Sequence, residues 1–501
     1  MLFHSPAFIF GFLPLCFVSF ALVQRLWGWQ PALLLLAAAS LVFYGQWSWA
    51  LSGLLLASIL CNFGAARLIL ARIDSRRAAG RILCGAIAAN LALLGYFKYT
   101  NFLIDNVNLI AGSSLPHLSL ILPVGISFYT FIQIGFLVEV YNHQVKEIRL
   151  EHYLLFGSFF PCITAGPIIL QREMLPQFAK AGPALLDGAR LATALTVFGI
   201  GLCKKLLLAD QVAPFANAVF DGAAAGAAIG AALAWIGALA YTLQLYFDFS
   251  GYSDMALGIA LLFGLRLPLN FNSPLKATSI IDFWRRWHIT MTRFFTNYLH
   301  APIALPLMRR ALARSYGRPA RFLAASALPI VLTFVLAGLW HGAGWTFVVF
   351  GLIHGLALAV NHGWREARLH PLPPSAGWLL TMGVVIAGLV FFRAADVTTA
   401  LALLSAMLGM TPAGALAEPV LASGAALAWI ALLGAIALGC PNTQELMARH
   451  WFSSDPPPAM APARPRLSWR PSAAWAVPGA ILLAAALGSL SSDSSFLYYQ
   501  F

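Results

Sequence analysis

Charge is scarce in this sequence. Only 10% of its 501 residues are Asp, Glu, Lys or Arg, where a soluble chain carries roughly 25%. A water-facing surface over most of the length is therefore excluded. Acidic residues are the scarcer kind, 18 against 31 Lys and Arg. The six cysteines, Cys16, Cys61, Cys84, Cys162, Cys203 and Cys440, show no C-x-x-C spacing. They read as small core residues, not as disulfides or metal ligands. No H-E-x-x-H, Walker or G-x-S-x-G motif occurs. A zinc-peptidase site, a nucleoside-triphosphate loop and a serine-hydrolase nucleophile each lack their residues, and no metal site is expected.

Apolar residues dominate instead, at 60% of the chain. Long apolar runs recur near 5–24, 31–70, 80–99, 119–140, 153–170, 187–208 and 226–247, and again from 252 to 491. At about 20 residues per crossing, they amount to roughly 10 to 12 membrane-embedded helices. The runs are not ten-residue alternations, so the fold class expected is an all-α polytopic membrane protein and not a barrel. The run 31–70 is long enough for two passes, with its turn near Gly45 or residues 47–49. Residues 7–23 lack a basic leading region and a cleavage site, which predicts a retained first helix. Residues 452–473 are Pro-rich and polar and read as a flexible loop. With no soluble domain and no long-period repeat, residues 1–501 are expected to form a single integral-membrane domain.

The net charge of +13 invites a nucleic-acid partner, but the placement of the charge argues against one. Arg67, Arg72, Arg76, Arg77 and Arg81 cluster between apolar runs, as do Arg309, Arg310, Arg314, Arg318 and Arg321. Cytoplasmic loops retain positive charge for topological reasons alone. The same loops can meet anionic lipid headgroups.

Four segments are polar where lipid penalises polarity. "LPVGISFYTFIQIGFLVEVY", 122–141, holds Gln133 and Glu139. "FFPCITAGPIILQRE", 159–173, contains Pro161, Gly166 and Pro167 and predicts broken or re-entrant backbone, tolerated where protein buries it. "LQLYFDFSGYSDMALG", 243–258, carries Asp248, Ser250 and Asp254. The fourth joins "IDFWRRWHIT", 281–290, to "FVLAGLWHGAGWTFVVFGLIHG", 334–355. Residues 269–300 as a whole suit a helix lying at the interface or lining a cavity. Buried ionisable residues in a membrane are functional hypotheses by default. Asp248 and Asp254 also admit a structural role, tethering helices or pairing with Arg285 and Arg286.

His341 is the sharpest candidate. A lone histidine in an apolar run often serves packing through a hydrogen bond. Here Gly338, Gly342 and Gly344 surround it and allow close approach, and Trp340 and Trp345 are placed to wall a narrow slot. A neutral imidazole in such a slot is suited to general-base work. A base without a protein nucleophile suggests direct transfer, with the acceptor's own hydroxyl attacking.

Several of these motifs stand together in a recognisable order. "YFDFSGYSDMALGIALLFGLRLPLNFNSP", "DFWRRWHIT" and "GLWHGAGWTFVVFGLIHG" resemble the membrane-bound O-acyltransferase family, in the branch of the alginate O-acetyltransferase membrane subunit. "LPVGISFYTF", "FFPCITAGPI", "GLCKKLLLADQVA", "FFRA" and "FLYYQF" extend the resemblance over most of the chain.

The resemblance implies a bundle of tilted and broken helices around a central funnel, in the bacterial inner membrane. An acyl group would come from a cytoplasmic thioester donor, acetyl-CoA or another, with no bound cofactor. His341 matches the family's catalytic histidine, and His288 matches a second histidine on the approach to the tunnel. Trp284, Arg285, Trp340, Trp345, Asp248, Ser250, Asp254 and Asn270 are the tunnel candidates. Asn270 or a backbone N–H at 342–344 is the candidate oxyanion donor. Arg285 and Arg286 would guide an anionic donor or pair with Asp282 and lipid heads. A periplasmic partner would complete transfer onto an exopolysaccharide. After "WHIT" the chain reads "MTRFFTNYLHAPIALPLMRR" and lacks the Gly-Gly-Asn element of the branch, so alginate, cellulose, peptidoglycan and other glycans stay open as acceptors. D-alanyl transfer to teichoic acid and transport of a lipid-linked sugar or an ion are the alternative readings.

Overall fold

Among the described residues, seven helices are long and apolar enough to cross a membrane, and five shorter apolar helices of 10–17 residues accompany them. The apolar runs of the sequence thus divide into full-length spans and pieces too short to cross alone. The computed structural model describes all residues except 146, 181, 183–186, 412–423, 451, 456–466, 491–495 and 498–501, and no strand occurs among those described. The backbone forms two compact units.

The first unit comprises Met1–Leu202, Gly251–Leu269 and Glu445–Tyr499. The run 31–70 becomes α1 (Trp29–Gly45) and α2 (Trp49–Ala71), turning where the sequence indicated. Ser48 makes the turn productive: its backbone is extended and its hydroxyl accepts from the Leu51 N–H at the start of α2. Helix α3 (Ile126–Tyr141) is buried on almost every side. Its Gln133 is accommodated by a hydroxyl and an amide, with Ser58 Oγ donating at 3.3 Å and Asn62 Nδ2 donating to the same oxygen. Asn62 and Asn90 exchange hydrogen bonds at 3.1 and 2.7 Å. A polar residue in hydrocarbon is thus answered by other polar side chains, as an intramembrane site requires.

Helix α4 (Leu150–Ser158) ends at Phe159, where ψ swings to 107°. A four-residue turn, Phe160–Ile163, and non-helical backbone over 164–170 follow, all buried. This is the broken segment expected from Pro161, Gly166 and Pro167. Half of the expected flexible loop at 452–473, residues 456–466, lies outside those described, and its flanks are tied down. The Asp455 carboxylate accepts from Leu269 N–H at 2.6 Å, and Trp469 N–H donates to the Leu446 carbonyl at 2.8 Å.

Helix α5 (Ala231–Leu262) supplies 231–250 to the second unit and 251–262 to the first. The second unit comprises Cys203–Ser250 and Asn270–Gln444. Its segment 269–300 is not the single helix expected. It holds two short helices, α6 (Ile280–Trp284) and α7 (Ile289–Phe295), separated by irregular, mostly buried backbone. Side chains satisfy that backbone where helix does not: Gln444 donates to the Phe271 carbonyl at 2.8 Å. Helices α8 (Leu328–His341) and α9 (Trp345–Glu366) then pack backbone to backbone. A Cβ at Gly338 would strike the Phe347 carbonyl oxygen, and one at Gly351 the Phe334 carbonyl oxygen. Small residues at a helix crossing allow this approach in lipid, where dispersion and not hydrophobicity holds helices together. Helix α10 (Pro374–Arg393) completes the frame of the site.

Candidate active site

The site begins at Asn270. Its backbone carbonyl accepts from Ile289 N–H at 3.0 Å. Its side-chain oxygen accepts from the Thr290 hydroxyl at 2.9 Å and lies 3.0 Å from His288 Nδ1. Because Thr290 N–H also donates to that atom, at 3.4 Å, it is the amide oxygen, an acceptor. His288 Nδ1 therefore carries the hydrogen, and Nε2 is the basic nitrogen. The His288 ring is 0% exposed and sits in the left-handed region, φ 43°, as the residue that launches α7. Phe249 of α5 meets it edge-on, centroids 4.8 Å apart and planes at 90°. Asn270, named as an oxyanion donor candidate, thus spends its oxygen on fixing a histidine.

His341 is the last residue of α8 and 7% exposed. Trp340 lies against it at 4.8 Å, Phe392 at 5.2 Å and Phe350 at 6.0 Å between ring centroids. The His288 ring is 6.4 Å away, and Trp340 lies 6.2 Å from that ring, so one indole touches both histidines. Gly342 and Gly344 are extended, Trp345 starts α9 at 56% exposure, and Phe392 stands beside the imidazole as a wall the sequence did not indicate.

Trp284 is buried and donates from Nε1 to His354 Nδ1 at 3.3 Å. His354 in turn lies so near α10 that a Cβ at Gly388 would come within 2.5 Å of its Nε2. That histidine holds an indole in place. Trp284 and Arg285 line a cavity of about 420 Å³ together with Met291, Phe295, Ala337 and His362. Ala337 is one helical turn before His341, so the cavity approaches the imidazole from along α8. Arg286 pairs with Asp282 at 2.9 Å, the structural alternative for that residue.

Asp248 does not pair with Arg285 or Arg286. Lys205 takes it at 2.8 Å and also holds Asp210 at 2.8 Å, with Lys205 and Asp248 only 3% and 1% exposed. Ser250 is buried in the second unit, its hydroxyl without a hydrogen-bond partner among the described residues. Asp254 belongs to the first unit and is buried there. Sequence reasoning missed Lys205, Phe392 and the role of His354. A lysine inside the apolar run "LCKKLLLAD" was the available signal for the first.

A model of the MBOAT family, membrane-bound O-acyltransferases, matches residues 130–404, which include both histidines. The chain belongs to this family. Among its membrane-bound O-acyltransferase relatives, a peptidoglycan O-acetyltransferase of Helicobacter pylori is 39% identical over 440 residues, 82% of this chain and 80% of that one. A probable alginate O-acetylase of Azotobacter vinelandii is 37% identical over 420 residues, covering 81% and 78%. A teichoic acid D-alanyltransferase of Bacillus subtilis is 27% identical over 309 residues, covering 61% and 75%. The chain is thus a multi-pass membrane acyltransferase, and the transporter reading falls away.

Proposed function

We propose that this protein transfers an acetyl group from a cytoplasmic thioester, acetyl-CoA, to a hydroxyl of a cell-envelope polysaccharide in the inner membrane of a bacterium, with His341 as general base. The observation that carries this reading is the pairing of two buried imidazoles, 6.4 Å apart, with Trp340 packed against both. The relatives named for peptidoglycan and alginate support a glycan acceptor. A D-alanyl donor draws only on relatives 27% identical.

In this mechanism the donor's thioester enters along Trp284 and Ala337. Arg285 and His362 lie where they can meet its anionic portion. The His341 imidazole takes the proton of the acceptor hydroxyl, and the oxygen attacks the thioester carbonyl carbon. The carbon–sulfur bond then breaks, and the leaving thiolate takes the proton back from the imidazolium. His288, locked through Nδ1, presents Nε2 to the reacting groups and orients them. For the developing oxyanion, Gly342 and Gly344 N–H groups are engaged with local carbonyls at 3.4 and 3.1 Å. The Ala343 N–H between them makes no hydrogen bond with a described backbone group and is the donor we assign. A periplasmic partner presents the glycan hydroxyl to this site.

The test is release of free CoA by purified protein in nanodiscs supplied with acetyl-CoA and a soluble glycan fragment. His341→Ala is expected to lower turnover about 10²- to 10⁴-fold, the usual worth of a general base, and His288→Ala to lower it less. Turnover by His341→Ala equal to wild type overturns the assignment of the base. Folded wild type that releases no CoA from acetyl-CoA with any glycan fragment, yet turns over another thioester, overturns the donor.

A further inference from the structure

Helix α9 has a cavity on each of two faces. One, reached by Leu358 and His362, belongs to the site above. The other, about 520 Å³, lies between α9, α10 and residues 278–280. Ala357, Asn361 and Arg365 follow one another along it at four-residue spacing, one face of the helix. Leu380 and Val384 line it from α10.

Arg365, Asn361, Thr278 and Ser279 bring polar groups to the end where α9 finishes, among Trp364, Leu369 and Leu372, and Ala357 and Val384 line the groove further along the helices. Arg365 is exposed and has no ion-pair partner among the described residues. The Asn361 side-chain oxygen is enclosed and receives no hydrogen bond from any described residue. Trp364, beside them, anchors its indole N–H on the His370 carbonyl at 2.9 Å, as interfacial tryptophans do. Arg318, from the arginine-rich loop, pairs with Glu366 at 3.7 Å and donates to its carbonyl, so that loop lies at the same end of α9. Positive-inside topology puts this end at the cytoplasmic leaflet, which carries the anionic lipids.

We propose that this groove binds one anionic glycerophospholipid of the phosphatidylglycerol type. Its phosphate pairs with Arg365, a headgroup hydroxyl donates to Asn361, and an acyl chain lies along Ala357, Leu380 and Val384. An acceptor with no donor calls for a hydroxyl and not for phosphate alone. A free cation calls for net negative charge. Phosphatidylcholine offers neither. The site is separate from the acyl-transfer chemistry and stands or falls without it.

The experiment is native mass spectrometry of the full chain, purified from detergent containing equimolar phosphatidylglycerol and phosphatidylcholine. Wild type is expected to retain one phosphatidylglycerol in preference to phosphatidylcholine. Arg365→Gln, an exposed and fold-neutral change, is expected to lower that preference about five-fold, the typical worth of one basic residue at an anionic surface. Asn361→Leu is expected to lower it about two- to three-fold, and Ala357→Phe to remove the bound lipid of either kind. Equal retention of the two lipids by wild type overturns the proposal. So does a preference that Arg365→Gln leaves unchanged.

Discussion

The second unit buries two polar clusters, and they solve the problem of charge in a membrane in opposite ways. Around Lys205 the charges are fixed: an ammonium sits between two carboxylates at 2.8 Å each. Around His341 and His288 the walls are rings, Trp340, Phe392, Phe350 and Phe249, and the polar groups are imidazoles that can be neutral. A salt cluster resists any change of charge, because removing one member strands another in a medium that cannot solvate it. An imidazole in an aromatic slot can take a proton and return it within one turnover. The first arrangement secures helices; the second suits a reaction. Asp248 connects the two, since the next residue of α5 is Phe249, which lies against His288.

Breaking the ionic cluster gives the largest expected effect on stability. Lys205→Ala takes the ammonium away from the buried Asp248 carboxylate, and the loss is expected at about 3–5 kcal/mol, read as a lowered midpoint in thermal or denaturing-detergent unfolding. The triple change Lys205→Met, Asp248→Leu and Asp210→Asn sharpens the contrast. It removes all three charges and is expected to recover most of that stability; continued instability would mean that the cluster does more than neutralise itself. At the histidine cluster the effect moves from stability to rate. Asn270→Ala removes the acceptor for His288 Nδ1–H, and turnover is expected to fall about ten-fold, the equivalent of one hydrogen bond. Unfolding should shift by no more than about 1–2 kcal/mol. The smallest effect is expected at Trp345→Ala, less than about two-fold in turnover, because the side chain is largely outside. A ten-fold loss there would make Trp345 a wall of the slot.

These contrasts follow what the sequence could disclose. The break between α1 and α2 and the interrupted backbone at 159–173 were legible, because Gly, Pro and a serine cap act locally. His341 stood out because an imidazole between glycines in an apolar run is rare on energetic grounds. Residues 269–300 were misread as one helix because two non-glycine residues there, Ser273 and His288, adopt positive φ, and no local signal announces this. The partner of Asp248 was hidden for a different reason. Lys205 lies 43 positions earlier, and only packing brings an i-to-j pair of that kind together. Phe392 is the same case, an apolar residue among apolar residues until the fold sets its ring beside His341.

The left-handed backbone at His288 has a consequence for how the site tolerates replacement. A side chain held at φ 43° costs about 1 kcal/mol or more that glycine would not incur. Glycine at 288 would recover that strain, but it would leave a void beside Phe249 and Trp340 and an Asn270 oxygen without its imidazole. A buried cavity of that kind costs about 2–5 kcal/mol, more than the relaxed backbone returns. The strained position is therefore secured by the very ring that strains it, and no small residue offers an easy way out.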